Sequence, residues 1–138
     1  MKLKELMRVL VNNEKDAIAT YDEEAVLFKP LLKHGAEAGA LFARISEERR
    51  ARIEELGRIL KHSSGFRRRF VEPACSIESA LRLHLKEEAV CVTNFMSLIK
   101  QITNPEFKER LGLMLTQTRG HIKALQALQA EIKAELPK

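Results

Sequence analysis

The sequence predicts an all-α protein, a four-helix bundle built as two antiparallel hairpins joined by one long connection. Three observations carry that expectation. The composition is helical: 138 residues hold Gly 6, Pro 4 and Trp 0, against abundant Ala, Leu, Glu, Lys and Arg. Four stretches repeat apolar residues at 3–4 spacing, the period of a helix with one buried face. The breaks between them are short in two places and long in one, which pairs the helices as two hairpins. The long link has the length for a crossover along the bundle, and on length alone a plain up-and-down bundle with a long loop stays open.

A first helix is expected from about Leu3 to Lys33, with Leu3, Leu6, Leu10, Glu14, Ala17, Tyr21, Ala25, Phe28 and Leu32 on its inward stripe. Pro30 kinks it or ends it early, because proline removes a backbone donor, and His34-Gly35 is the stop signal. A second helix is expected from about Ala36 to Lys61, with Phe42, Ile45, Arg49, Arg52, Leu56 and Ile59 facing inward. Glu48–Arg52 and Arg50–Glu54, one turn apart, read as supporting ion pairs on its surface. Ser63-Ser64-Gly65 ends it.

The long connection runs roughly from Ser63 to Cys75 and carries Phe66-Arg67-Arg68-Arg69-Phe70. Three solvated arginines are its default reading, since phosphate binding needs a wider basic surface. Ser76 suits the N-cap of a third helix, Ile77 to Ile102, with Leu81, His84, Glu88, Cys91, Phe95 and Leu98 inward. Asn104 caps a fourth, which starts at Pro105 and runs to about Leu136. Its inward stripe is Phe107, Leu111, Met114, Thr118, His121, Leu125 and Leu128. Such helices are roughly 40 Å long, which suits a bundle of antiparallel rods.

The bulk properties bound the function. The chain reads as one domain, 1–138, long enough to bury a core. A formal charge of +5 is mild and speaks for solubility more than for a nucleic-acid partner. Two cysteines, Cys75 and Cys91, are too few for a disulfide framework, and Cys91 on a core stripe reads as a buried free thiol. The charged, amphipathic N-terminus lacks the apolar segment of a signal peptide, and no run approaches the ~20 apolar residues of a membrane span. The expectation is a cytoplasmic protein that engages neither membrane nor nucleic acid. A homodimer is the assembly considered, and the sequence names no protein partner.

Polar and ionisable residues sit at the middle of the stripes, where Leu would be cheaper to bury. Tyr21 and Phe95 read as core aromatics, and His84 as a core histidine satisfied by a carboxylate. The two halves echo each other. Glu14 and Tyr21 have the spacing of Glu88 and Phe95, while Arg49, Arg52 and Leu56 have that of Thr118, His121 and Leu125.

On these residues the chain resembles the rubrerythrin-type branch of the ferritin-like family over nearly its whole length. Glu14 to Tyr21 looks like the family's first-helix Glu with its Tyr. Leu41-Phe42, Ile45 and Leu56 look like the frame of the second-helix Glu-x-x-His. Glu88 to Phe95 looks like the third-helix Glu with its aromatic, and Asn104-Pro105-Glu106, Leu111 and Gly120-His121-Ile122 like the fourth helix. The resemblance implies a ferritin-like bundle in which four carboxylates and two histidines hold two iron or manganese ions. Of those six positions Glu14, Glu88 and His121 are kept, and Arg49, Arg52 and Thr118 replace the others. A shifted register, with Glu48 as ligand and Ala51 at the His position, agrees less well with Phe42, Ile45 and Leu56. A weaker likeness, His84-x-x-x-Glu88, is to hemerythrin-like bundles, which need several more inward histidines than this chain has.

Arginine has no lone pair to offer a metal. The expectation is therefore a lost or reduced di-metal site: a charge-paired layer of Glu14 and Glu88 with Arg49 and Arg52, its hydrogen bonds closed by His121 and Thr118. The protein would then carry no cofactor and serve a non-catalytic structural, binding or regulatory role. The alternative is a reduced iron or manganese site of Glu14, Glu88 and His121, in a metal-binding protein or a non-haem iron oxidoreductase of oxidase or peroxidase type.

Overall fold

The computed structural model describes residues 2–60 and 71–135. Among them the chain is all-helical, without a strand: α1 (Leu3–Phe28), α2 (Gly35–Leu60), α3 (Ile77–Gln101) and α4 (Pro105–Ala134). Ser63-Ser64-Gly65 and Arg67-Arg68-Arg69, singled out in the sequence, lie outside the described residues.

The first expected boundary needs correction. α1 stops at Phe28 rather than near Lys33, because Pro30 has no N–H to continue the helical bonding. The chain turns instead, with the Leu31 N–H donating to the Phe28 carbonyl at 2.9 Å. Leu32, expected on the buried stripe, consequently stands fully in solvent. Val26, Leu27 and Leu31 around the same turn are exposed as well. His34 then takes the left-handed conformation, φ 64°. Gly35 follows where a Cβ would lie 2.3 Å from the Phe28 carbonyl oxygen, so α2 enters against the end of α1 only without a side chain there.

The other boundaries follow local chemistry. Ser76 accepts the Ser79 N–H at 3.1 Å and opens α3. Asn104 Oδ1 accepts from the N–H groups of Glu106, at 2.9 Å, and Phe107, at 3.2 Å. Pro105 follows at the first helical position, where its missing donor is not needed.

α1 packs against α2 and α3, and α4 packs against the same two helices. Two apolar clusters draw on all four helices. One contains Leu6, Leu10, Leu56, Phe95, Leu98 and Leu111; the other contains Phe28, Phe42, Ile45, Leu81, Leu125 and Leu128. Each large apolar side chain so buried contributes about 1.5–3 kcal/mol. Val11, Ile18 and Ile53 are buried although they lie off the expected stripes, since a helix with two neighbours buries a wider arc than one seam. In each helix buried polar residues stand between its contributions to the two clusters. Glu14, Arg49, Arg52, Glu88, Thr118 and His121 are all buried there. Among the described residues no helix is long and apolar enough to cross a membrane.

Candidate functional site

Arg49 is the centre of this polar layer. Its guanidinium, 2 % exposed, donates through Nη1 to Glu14 Oε1 at 3.0 Å and through Nη2 to Glu88 Oε2. Arg52 donates through Nη1 to the same Glu14 oxygen at 3.2 Å and through Nε to Gln117 Oε1 at 2.6 Å. Three helices, α1, α2 and α3, thus deliver two carboxylates and two guanidiniums to one level, and the formal charges cancel. Burying any of these ions alone would be prohibitive; their pairing offsets most of the desolvation cost. Both arginines also lie near aromatic faces, Arg52 5.7 Å from the Phe95 ring centroid and Arg49 6.0 Å from that of Tyr21.

His121 closes the layer toward solvent. Nδ1 stands 3.0 Å from Glu88 Oε1 and Nε2 stands 2.9 Å from Glu48 Oε2. Burial pushes the imidazole down to about 4, helped by Arg52 and Arg49 and resisted by the Glu48 hydrogen bond. A neutral ring donates from one nitrogen only. Glu88 is its fully buried partner, while Glu48, with 33 % of its side chain exposed, is free to turn to water. Glu48, expected in a surface pair with Arg52, instead reaches inward to His121 and outward to Arg44, 3.7 Å away.

Thr118 also departs from expectation. Its hydroxyl donates back to the Met114 carbonyl at 2.9 Å, the usual local choice for a helical threonine. Cys91 Sγ lies 3.6 Å from Glu14 Oε1, and burial pushes this thiol up, so it stays protonated. Burial raises the Tyr21 phenol too. For Arg49 burial acts most strongly, against the charge, but its neighbours, Glu14 first among them, together outweigh it and hold the guanidinium ionised.

A second buried pair lies beside the layer. Glu24 Oε1 bonds His84 Nε2, and Glu24 Oε2 accepts the Ala74 N–H at 3.0 Å. Tyr21 stacks on the His84 ring, centroids 3.8 Å apart and planes 10° from parallel, while Phe42 meets it edge-on. His84 is therefore a histidine satisfied by a carboxylate and packed among aromatics. Glu24 had no place on the expected stripe, yet Tyr21, Glu24 and Phe28 follow the same 3–4 spacing as the residues that did.

Against this geometry the donor set for metals is poor. Glu14 Oε1 and both Glu88 oxygens are taken by Arg49, Arg52 and His121. Among the described residues Glu14 Oε2 is buried without a hydrogen-bond partner, as are Tyr21 Oη, Arg49 Nε and Arg52 Nη2. Among the described residues no group of three or more His, Cys, Asp or Glu is arranged to hold a metal ion. Two permanent cations also stand within the layer. Comparison with protein-family models, with curated proteins and with solved structures found no match.

Proposed function

We propose that this chain is a ferritin-like bundle of the rubrerythrin type whose di-metal site has been replaced by a charge-paired core, and that it acts as a non-catalytic structural, binding or regulatory protein. The wiring supports the fold. Early α1 and late α2 residues share a cluster with late α3 and early α4 residues, for example Leu6, Leu56, Leu98 and Leu111. The end of α2 and the start of α3 then belong to opposite ends of the bundle, which is the arrangement of two hairpins joined by one long crossover. The observation that carries the functional reading is Arg49, buried and bonded to both Glu14 and Glu88. The guanidiniums of Arg49 and Arg52 balance the two carboxylates that remain, as two divalent cations balance four in the family's di-metal sites. A homodimer belongs to the same proposal and is checked by sedimentation.

A second reading is favoured by one atom. The unpartnered Oε2 of Glu14 is a ligand oxygen in want of a cation, and a reduced iron or manganese site would use it with Glu88 and His121. Metal analysis of the purified chain and calorimetric titration with Fe(II) and Mn(II) separate the two. A charge-paired core predicts no tight binding. One equivalent would establish the reduced site and reopen iron oxidase or peroxidase chemistry. Two equivalents would overturn both readings.

A further inference from the structure

Among the described residues eight large hydrophobic side chains stand exposed, and four of them, Val26, Leu27, Leu31 and Leu32, fall within seven positions at the α1–α2 turn. The others, Leu83, Val90, Met96 and Leu113, are spread along α3 and α4, where single exposed apolar residues are ordinary. A turn is the place for small and polar residues. Val26 is instead 77 % exposed and Leu32 wholly so, and neither exposure does anything for the fold.

Nor is the turn loosely held. The Leu31 N–H donates to the Phe28 carbonyl at 2.9 Å, and the Ala38 N–H donates to the His34 carbonyl at 2.9 Å. His34 Nε2 lies 2.7 Å from Glu135 Oε2, which ties the turn to the end of α4. The leucines are therefore presented on a fixed base, and such preorganisation lowers the cost of binding.

Charge and size choose the occupant. Lys29 and Lys33, both exposed, flank the two leucines, and no acidic residue occurs from Val26 to Ala36. Glu37 and Glu135, on the neighbouring helix ends, are each bonded by a His34 nitrogen. A second copy seated on this tip would set lysines against lysines, and like charges brought together oppose association. The patch is also four side chains, where a stable protein interface takes roughly 20–30 residues a side. An anionic lipid surface suits both properties. It engages no more than the tip of a protein, takes leucine into its acyl boundary and draws lysine to its headgroups.

We propose that the α1–α2 turn is a membrane-surface contact, in which Leu31 and Leu32 enter the headgroup boundary of an anionic bilayer while Lys29 and Lys33 pair with lipid phosphates. This departs from the expectation of no membrane partner, which rests on the lack of a spanning segment. Among the described residues no helix can cross a bilayer, but contact with its face needs no span. The inference does not depend on whether the buried layer holds a metal.

Co-sedimentation of the full chain with vesicles tests it, using equimolar phosphatidylglycerol and phosphatidylcholine against phosphatidylcholine alone. Binding to the anionic vesicles is expected, falling as salt rises, with little to the neutral ones. Leu32→Ser should weaken it roughly tenfold, the scale of one leucine withdrawn from an apolar phase, and leave the melting temperature unchanged. Lys29→Gln with Lys33→Gln should weaken it roughly thirtyfold, the scale of two lysines at an anionic surface, and flatten its salt dependence. Leu113→Ser, at an exposed leucine toward the other end of the bundle, should bind as the unaltered chain does. The chain holds no tryptophan, so Leu32→Trp gives a unique probe whose emission should shift to the blue on anionic vesicles. Absence of binding to those vesicles, or binding that Leu32→Ser leaves unchanged, would overturn the proposal. So would an unshifted Leu32→Trp emission, or an equal loss in Leu113→Ser.

Discussion

Replacing Arg49 with Met tests the charge-paired layer where it is most exposed to failure. The substitution keeps an unbranched side chain of useful length and removes the guanidinium alone. Glu88 is left with His121 at 3.0 Å, and Glu14 with Arg52 at 3.2 Å. All three ions of the Glu14–Arg49–Glu88 bridge are buried, their side chains at most 2 % exposed, so water cannot compensate for the loss. Removing one partner from a buried pair costs about 3–5 kcal/mol. For a domain of this size that lowers the melting temperature by roughly 10–20 °C. Urea unfolding followed by far-UV circular dichroism gives the free energy, and calorimetry gives the temperature. Adding Glu88→Gln to Arg49→Met removes one charge of each sign, leaving Glu14 balanced by Arg52. The double variant should recover on the order of 2–3 kcal/mol, the coupling expected between groups in direct contact. A loss below ~1 kcal/mol for Arg49→Met would put the pair among solvated surface bridges and refute the reasoning.

Three further outcomes follow from other parts of the molecule. His121 is pushed from 6.5 down to about 4, so the unfolded chain takes up the proton first as pH falls. The stability it contributes is complete above about pH 6.5 and is lost toward about pH 4, a fall of about 3 kcal/mol. Urea midpoints measured across that window should show His121→Gln with a shallower slope, and identical slopes would remove His121 as the cause. Gly35→Ala should destabilise by about 1–3 kcal/mol, because a Cβ would sit 2.3 Å from the Phe28 carbonyl oxygen and backbone cannot easily yield. Gly120→Ala, where a Cβ meets nothing within 4 Å, should instead stabilise by about 0.5–1 kcal/mol through helix propensity. A Gly35→Ala melting curve that holds or moves up would contradict the packing at Gly35, and a Gly120→Ala curve that moves down would contradict the open space at Gly120.

The helices themselves were legible because composition, periodicity and caps agree. Ser76 and Asn104 fix the starts of α3 and α4 through side-chain chemistry that the sequence states outright. The end of α1 was less so. Leu31 and Leu32 continue the apolar pattern past Pro30, and pattern alone does not reveal that the missing donor wins. The middle of the core was legible from residue type: Glu14, Arg49, Arg52, Glu88 and His121 interrupt apolar stripes and do meet in one layer. Its edges were not. Glu24 was passed over in favour of Ala25, the cheaper residue to bury, although His84 and the Ala74 N–H give its carboxylate partners. Glu48 and Gln117 reach the layer from partly exposed positions, because long side chains bridge from the flank of a helix, and a stripe does not record flanks. Thr118 was given a role in the layer that its own backbone claims first.

The proposed replacement of metal by arginine is tested most directly by the metal dependence of stability. Thermal unfolding of the chain would be followed after exhaustive chelation and again in excess Mn(II) or, without oxygen, Fe(II). A core whose cations are Arg49 and Arg52 predicts the same melting temperature in every condition, within about 1 °C. A ligand present at a hundred times its dissociation constant would add about 2.7 kcal/mol, raising the melting temperature by roughly 10 °C for a domain of this size. A rise of that order would mean that Glu14, Glu88 and His121 still hold an ion, and would contradict the replacement.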